Sequence, residues 1–296
     1  MKSKSLAEAR KRGYLDNVDE SGFKYTFVGA WLSKYPNRVG ILDSLKKIVG
    51  RIPQWEDLTD RTMKEFKDEL ESRMCANSVH SIFQRLKAVL NDNKMEVDIP
   101  SKRYDAILKK KGEPSQGTFL TESEISMFEN VKTLSESEEY TKAIFLISCY
   151  TGCRHSDAVR METENIQDGV LTYVSQKTKT KSTLPAHRNI YKYIGKFPSN
   201  VYQSDVTMNA NIRALAQRAG INTKVKVFKA GVEITAPKYE LISSHTARRS
   251  FCTNLRLRGV DLLTICRLAG HSSIEMTQRY IVADANLPDS AMSFFK

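Results

Sequence analysis

The sequence contains few of the features that would place a protein in a membrane, outside the cell or around a metal ion. Its five cysteines are an odd number without a Cys-x-x-Cys pair, which argues against a disulfide framework or a zinc site and favours a reducing compartment. No run of about 18 apolar residues is present, so we expect no membrane-spanning helix. The charged N-terminus lacks the apolar centre of a secretory signal. These absences predict a soluble cytoplasmic protein.

Internal repeats and low-complexity tracts are also missing, and 296 residues with 41% hydrophobic content suffice for two globular domains. Residues 1–21 are predicted to be an N-terminal extension. From residue 22 to 98, apolar residues recur at helical spacing, and Thr59 is placed to cap a helix that carries Met63 and Phe66 inward. Residues 99–117 contain two prolines, two glycines and a lysine run, which predicts an interdomain linker.

Residues 118–296 are predicted to form the second domain, with helices and a small amount of β-structure. It opens with a capping box between Thr121 and Glu124. An apolar helix ends at Gly152, and the Asp168–Gly169 turn leads into a hairpin closed by Pro185. A second short hairpin is expected around Gly231. The predicted fold class is therefore mainly α with a small antiparallel sheet.

What the sequence has in excess is positive charge. The formal net charge is +12, and the parts before and after Gln116 each carry 23 Lys and Arg residues against 17 Asp and Glu residues. An excess in both parts is expected if both contact a polyanion, although many basic proteins bind no nucleic acid. The run Lys109, Lys110 and Lys111 could be a solvated face or a strap along phosphates.

Arg154 follows the helix-ending Gly152. Ser156 or Asp157 can cap the next helix, so Arg154 is presented at a tight turn. A guanidinium there could bind two oxygens of a phosphate. In the alternative interpretation, it pairs with Asp157 or caps carbonyl groups.

His245 and Arg248 lie three residues apart near the start of a helix, so both project from one face. A donor, a cation and the positive end of the helix dipole together suit an oxyanion. The alternatives are a capping histidine and a surface arginine.

The tip of the first hairpin carries Lys177, Lys179 and Lys181. Alternating lysines on a turn usually give only exposed positive charge. A mobile loop with an ammonium group is also what a proton donor to a leaving oxygen requires.

The last candidate pair is His271 and Tyr280. Asp261 can cap a helix that ends at Gly270, and Ser272 with Glu275 can form a capping box for the short helix that delivers Tyr280. In one continuous helix the two side chains would point to opposite sides. The glycine break removes that constraint, so they can converge on one site, while the alternative is simple packing.

Six of these residues resemble, in their order and spacing, the motif of the tyrosine recombinase family, which includes the phage integrases and the Xer- and Cre-like enzymes. They are Arg154, Lys177, His245, Arg248, His271 and Tyr280. The segments PKYELI and SSHTARRSF are most similar to integrases from mobile elements of Bacteroides-type bacteria. The resemblance implies that residues 22–98 are a helical, SAM-like core-binding domain and residues 118–296 the catalytic domain, which together form a C-shaped clamp on DNA.

It also implies partners: double-stranded DNA attachment sites, a homotetramer on synapsed DNA, and accessory DNA-bending or directionality proteins, in a protein associated with the bacterial nucleoid. The tail after Tyr280 would dock on a neighbouring protomer or pack on its own domain.

By this resemblance, Tyr280 attacks the phosphate and forms a 3′-phosphotyrosyl bond without a metal or cofactor. Arg154 and Arg248 clamp the phosphate, His245 binds it or acts as general base, His271 donates a further hydrogen bond, and Lys177 is the general acid. Lys179 and Lys181 are rivals for that last role and otherwise contact DNA, as do Arg249 and the run Lys109–Lys111.

The sequence departs from the commonest family pattern at two positions. Arg249 stands where histidine is frequent, and Ala269 where leucine is usual. Neither difference removes a catalytic group. The competing hypotheses are a type IB topoisomerase, which shares the chemistry but relaxes supercoils as a monomer, and a basic DNA-binding regulator without catalysis.

Overall fold

The computed structural model describes residues 7, 10–14, 20–23, 25–113, 117–198, 201, 203–229 and 232–282. The chain divides into two compact units, Met1–Pro114 and Ser115–Lys296. The structure is mainly helical with two small antiparallel sheets, which confirms the predicted fold class. Within the described ranges, none of the helices has the length and apolar character needed to span a bilayer. The docking prediction refers to the tail after Tyr280, of which residues 283–296 lie outside these ranges.

The first unit is entirely helical in its described part. Its elements are α1 (Glu20–Phe23), α2 (Phe27–Lys34), α3 (Gly40–Val49), a 3-10 turn (Trp55–Asp57), α4 (Asp60–Arg73), α5 (Ala76–Asn93) and α6 (Tyr104–Ile107). Thr59 caps α4 as predicted, since its hydroxyl accepts a hydrogen bond from the Thr62 amide at 3.2 Å. The apolar faces of the helices meet in one core around Trp31, Leu42, Phe66 and Phe83.

The segment predicted as a linker folds with the first unit as far as Glu113. Ile99, Tyr104 and Leu108 are buried in its core, and the Ser101 amide donates to the Leu58 carbonyl at 2.9 Å. The boundary between the units, after Pro114, lies inside the predicted linker, but most of that segment belongs to the first unit because its apolar residues are buried in the core of that unit. Part of the predicted N-terminal extension does the same, since Tyr14 is buried and donates to Asp43 at 2.7 Å.

The second unit combines helices with both sheets. The helices are α7 (Glu122–Asn130), α8 (Glu136–Thr151), α9 (His155–Ala158), α10 (Asp205–Arg218), α11 (Lys238–Leu241), α12 (Ser244–Leu257), α13 (Leu262–Ala269) and α14 (Ile274–Gln278). The first sheet contains β1 (Ile166–Gln167), β2 (Val170–Val174) and β3 (Lys181–Pro185) in the order β1-β2-β3. The second pairs β4 (Lys224–Lys229) with β5 (Val232–Pro237). Short 3-10 turns lie at Thr163–Asn165 and Ile190–Lys192.

Most of the helix caps and turns predicted for this unit were confirmed. Thr121 and Glu124 form the predicted capping box, and Asp261 caps α13. The Asp168–Gly169 turn joins β1 to β2, and β2 pairs with β3 in the predicted hairpin, which ends at Pro185. The pairing of Lys229 with Val232 confirms the second hairpin, although Gly231 itself lies outside the described residues.

Helix α8 organises the second unit because almost its whole length is buried, and both α10 and α12 pack against it. Its apolar residues include Phe145, which packs against Phe128 of α7 with ring centroids 4.8 Å apart. The C-terminal end of α8 therefore has a fixed position beside α12, and the candidate site is built there.

Candidate active site

Arg154 lies in the turn between α8 and α9. Gly152 ends α8 in a left-handed conformation with φ of 68°, and a Cβ at this position would lie 2.4 Å from the Phe251 ring of α12. Only glycine fits both constraints. Helix α9 begins directly after Arg154, so the predicted caps Ser156 and Asp157 are wrong and Arg154 itself holds the N-cap position. Its Nη1 donates to the Ser175 hydroxyl at 2.8 Å.

Arg248 is the most buried charged residue of the site, with 1% of its surface exposed. Its Nη1 donates to the Gly152 carbonyl at 2.6 Å, and its Nε donates to His271 Nε2 at 3.0 Å. Its Nη2 is buried without a hydrogen-bond partner in the described structure. Arg248 therefore joins the end of α8 to His271, two residues after α13, and keeps one buried donor available where an unmet donor is costly.

His271 holds Arg248 in place. Because Nε2 accepts from the arginine, the proton is assigned to Nδ1, which donates to the Thr277 hydroxyl at 3.0 Å. Burial, and then the positive charges of Arg248 and Arg154, lower the pKa of His271 to about 3, so the ring is neutral. Both ring nitrogens are engaged, so the predicted hydrogen bond from His271 to a phosphate would require the ring to exchange one of these two bonds.

Tyr280 lies next to both His271 and Arg248. Its ring stacks on His271 with centroids 4.9 Å apart and an interplanar angle of 23°. The guanidinium carbon of Arg248 lies 5.3 Å from the tyrosine ring centroid. The glycine break allows this convergence, as predicted, since Gly270 ends α13 with φ of 64°. The predicted capping box at Ser272 is wrong by one residue. The N-cap of α14 is Ser273, whose hydroxyl accepts a hydrogen bond from the Met276 amide.

His245 is the second residue of α12 and is exposed. Partial loss of solvent around the ring and the positive charges of Arg248, Arg249 and Arg154 lower the pKa of His245. The imidazole is therefore mainly neutral near pH 7 and able to accept a proton.

The three lysines of the hairpin differ in their placement. Lys177 is exposed in the loop between β2 and β3, and Lys179 follows it in a left-handed conformation with φ of 57°. Lys181 begins β3 opposite Val174, on the exposed face of the sheet. Ser182 lies on the other face, close to Gly270. A Cβ atom added at position 270 would lie 2.3 Å from the Ser182 hydroxyl oxygen. Lys181 therefore points away from the segment of His271, and Lys177 and Lys179 lie in the loop.

Sequence reasoning missed the role of Asp157 in this loop. Its buried Oδ1 accepts from the Gln176 amide at 2.9 Å and from Arg160 at 3.0 Å. With the Arg154–Ser175 hydrogen bond, it fixes the start of the loop directly before Lys177. Gln176 is 19 residues from Asp157, so no local pattern could have indicated this contact.

The predicted DNA-contact residues lie in both units. Lys109 and Lys111 are exposed, whereas Lys110 pairs with Glu71 at 3.3 Å. Arg249 is half-buried, and its Nη1 donates to the Arg279 carbonyl at 3.0 Å. Whether these residues bind DNA stays a prediction.

Comparison with known proteins identifies relatives of this chain. The sequence profile of the phage integrase family matches residues 118–286. The integrase of Escherichia phage P2 is 26% identical over 171 residues, which cover 58% of this chain and 44% of the phage protein. Tyrosine recombinase XerD of Oceanobacillus iheyensis is 24% identical over 225 residues, or 73% of this chain and 72% of XerD. The chain thus spans less than half the length of the P2 integrase, and about two thirds or more of XerD.

Among solved structures, residues 75–356 of lambda integrase, crystallised as a dimer bound to a COC′ core site, align with a TM-score of 0.63. The alignment covers 96% of each chain at 15% identity, which shows a shared fold. The family profile covers more than half of the sequence and includes every candidate catalytic residue from Arg154 to Tyr280. The chain therefore belongs to the phage integrase family.

Proposed function

We propose that this chain is a site-specific DNA recombinase that cuts and rejoins DNA through a 3′-phosphotyrosyl intermediate. One observation carries the proposal: the Tyr280 ring lies 5.3 Å from the guanidinium of Arg248, whose Nη2 is buried without a partner. A cationic donor in a dry site is suited to an anionic oxygen. A phosphate bound there would lie next to the tyrosine.

The two arginines would act on the charge of the phosphate. Arg248 offers its unpartnered Nη2, while Arg154 is half-buried at the nearby turn and keeps donors beyond the one used by Ser175. Charge grows on the nonbridging oxygens in the transition state, and donors already aimed at those oxygens stabilise it without reorganising.

The reaction then needs one proton acceptor and one proton donor. The phenol oxygen of Tyr280 attacks phosphorus, its proton passes to the neutral His245, and the bond from phosphorus to the 5′ oxygen breaks. Lys177 gives the departing oxygen its proton, with Lys179 as the rival donor. The phosphodiester energy is retained in the phosphotyrosyl bond, so a 5′ hydroxyl from a second duplex reverses the step without a metal or other cofactor.

The proposed partner is double-stranded DNA that carries paired recombination sites. Lambda integrase has been crystallised as a dimer on a core site and as a tetramer on a Holliday junction. We extend that behaviour to this chain: residues 22–98 and 118–296 would clamp the duplex, and four protomers would exchange strands through a Holliday junction, with accessory DNA-bending or directionality proteins. The basic charge of both parts supports binding to DNA.

The test is covalent trapping on a nicked suicide substrate that carries the attachment site found beside the encoding gene. The wild-type protein should form an adduct in EDTA, with the DNA attached at Tyr280. Tyr280→Phe should bind the same DNA with unchanged affinity and form no adduct. Tyr239→Phe, which removes the phenol group nearest upstream in the sequence, is the matched control and should form adduct at the wild-type rate.

Three results would contradict the proposal: adducts that persist in Tyr280→Phe, strict dependence on Mg²⁺, or no adduct from the wild-type protein. Relaxation of supercoiled DNA without any recombinant product would instead favour the topoisomerase hypothesis.

A further inference from the structure

One face of α12 holds the backbone on both sides of Tyr280. Arg249 and Thr253 are four residues apart and therefore lie on the same face of the helix. Arg249 donates to the carbonyl of Arg279, which precedes the tyrosine, at 3.0 Å. The Thr253 hydroxyl lies 3.4 Å from the carbonyl of Tyr280 itself and accepts from the Val282 amide at 3.2 Å. The two peptide groups that flank the tyrosine are thus both attached to α12.

Arg249 also contacts the side chain of the tyrosine. Its guanidinium carbon lies 5.7 Å from the ring centroid of Tyr280, within the range of a cation–π contact. The backbone of Gly117 covers the guanidinium closely, because a Cβ at position 117 would lie 2.8 Å from Nε and 3.1 Å from Cζ. Arg249 is therefore fixed between a glycine, a carbonyl group and an aromatic ring.

The tyrosine needs such an anchor because the helix before it is short. Helix α14 has five residues, and Tyr280 follows its last turn. So short a helix has little stability of its own. Nucleophilic attack, in contrast, requires an accurate position, since a displacement of about 1 Å can reduce a rate about 100-fold.

We propose that Arg249 and Thr253 are positioning residues for Tyr280, and that the contact of Gly117 with Arg249 sets where the tyrosine lies. This inference rests on the proposed function, because it takes Tyr280 as the nucleophile. It assigns Arg249 a role different from the DNA contact that the sequence predicted.

The first experiment separates positioning from DNA contact. Arg249→Gln, Arg249→Lys and Thr253→Val are compared for cleavage rate at saturating DNA and for the salt dependence of binding. Arg249→Gln should reduce the cleavage rate about 10- to 100-fold. Thr253→Val should reduce it less, because its bond to the backbone is longer, and Arg249→Lys should recover part of the loss by keeping a charged donor. Binding affinity and its salt dependence should equal those of the wild-type protein.

The matched control is Arg256→Gln. Arg256 lies two turns further along α12, is exposed and also donates to a backbone carbonyl, that of Val260 at 3.4 Å. This variant should cleave at the wild-type rate. The salt dependence is decisive, because loss of a phosphate contact lowers the slope of log affinity against log salt concentration by about 0.9.

The second experiment moves the guanidinium without removing it. Gly117→Ala adds a methyl group against Arg249 and should lower the cleavage rate in the same direction as Arg249→Gln. Gly40→Ala, where no atom lies within 4 Å of the added carbon, is the control and should have no effect. Denaturation midpoints identify any variant that fails to fold. If Arg249→Gln does so, Gly117→Ala and Thr253→Val still test the proposal.

An unchanged cleavage rate in Arg249→Gln and Gly117→Ala, or a lower salt slope in Arg249→Gln, would overturn the positioning role. These outcomes differ from failure of the proposed function, in which the wild-type protein itself would form no adduct at Tyr280.

Discussion

The two units of the molecule bury different kinds of side chain. In the described part of the first unit, the buried polar residues are the hydroxyl-bearing Ser44, Thr62 and Ser101, and the rest of the core is apolar. The second unit buries acidic and basic side chains as well, which are Glu138, Asp157, Lys238, Arg248 and His271. The buried polar side-chain atoms without a partner in the described residues also lie in the second unit, between residues 155 and 248.

This difference distinguishes side chains that stabilise the fold from side chains that are available for chemistry. Buried apolar side chains stabilise a fold and leave no polar group that a ligand would have to satisfy. A buried cation with an unpartnered donor is costly, and proteins retain such groups mainly at functional sites. Glu138 and Lys238 have ion-pair partners at 2.5 and 2.6 Å, so they are structural. Arg248 lacks a carboxylate partner in the described structure, and this distinguishes it from them.

The largest effect is expected from an exposed residue of the site. Lys177→Ala should reduce cleavage about 10²- to 10⁴-fold, the usual contribution of a general acid. Stability should change by less than about 0.5 kcal/mol, since the side chain is exposed. A substrate with sulfur at the bridging 5′ position should restore the rate, because a thiolate leaves without a proton.

Lys179→Ala and Lys181→Ala are the matched controls, measured on both substrates by single-turnover cleavage. If sulfur restores Lys179→Ala and not Lys177→Ala, the general acid is Lys179.

A change at Arg248 tests the comparison directly. Arg248→Lys keeps the charge and loses the planar fork, so cleavage at saturating DNA should fall about 10²- to 10³-fold. In the first unit, Phe66→Ala should instead lower the free energy of unfolding by about 3–5 kcal/mol, because it leaves a cavity in an apolar core. Denaturant unfolding and cleavage of the folded protein are measured for both variants. The comparison fails if Arg248→Lys loses more stability than Phe66→Ala while its cleavage rate is unchanged.

The smallest effect is a pH dependence of stability confined to the second unit. Unfolded His271 takes up a proton near pH 6.5, whereas the pKa of the folded residue is about 3. Between these values the unfolded state binds more protons, so stability is complete above pH 6.5 and falls as the pH decreases, by at most about 1.4 kcal/mol per pH unit. The lowered pKa values of His155 and His187 act in the same direction.

His271→Gln should therefore flatten this slope in part, as measured by urea unfolding between pH 4 and 7. A slope identical to that of the wild-type protein would show that His271 does not carry the effect.

How far the sequence predicted this structure depended on the distance between the interacting groups. Caps such as Thr59, Thr121 and Asp261 were predicted because donor and acceptor lie within one helical turn. The convergence of His271 and Tyr280 was predicted because Gly270 ends the helix before them. The alternatives at Ser272 and Ser273 differ by one position, and only the backbone conformation decides between them.

Long-range contacts could not be predicted in the same way. Asp157 binds the loop amide of Gln176, and Arg249 binds the carbonyl of Arg279, and neither partner forms a local pattern. The first unit extends past the expected boundary for the same reason. Tyr104 and Leu108 are buried against residues far along the chain, and composition alone does not record such packing.

The hydrogen bonds of Arg248 have one further consequence. Because the guanidinium bridges the Gly152 carbonyl and His271, its rotamer is set when the chain folds. A DNA strand arriving at this pocket would meet donors that have already lost their side-chain entropy, and recognition would not have to supply that ordering.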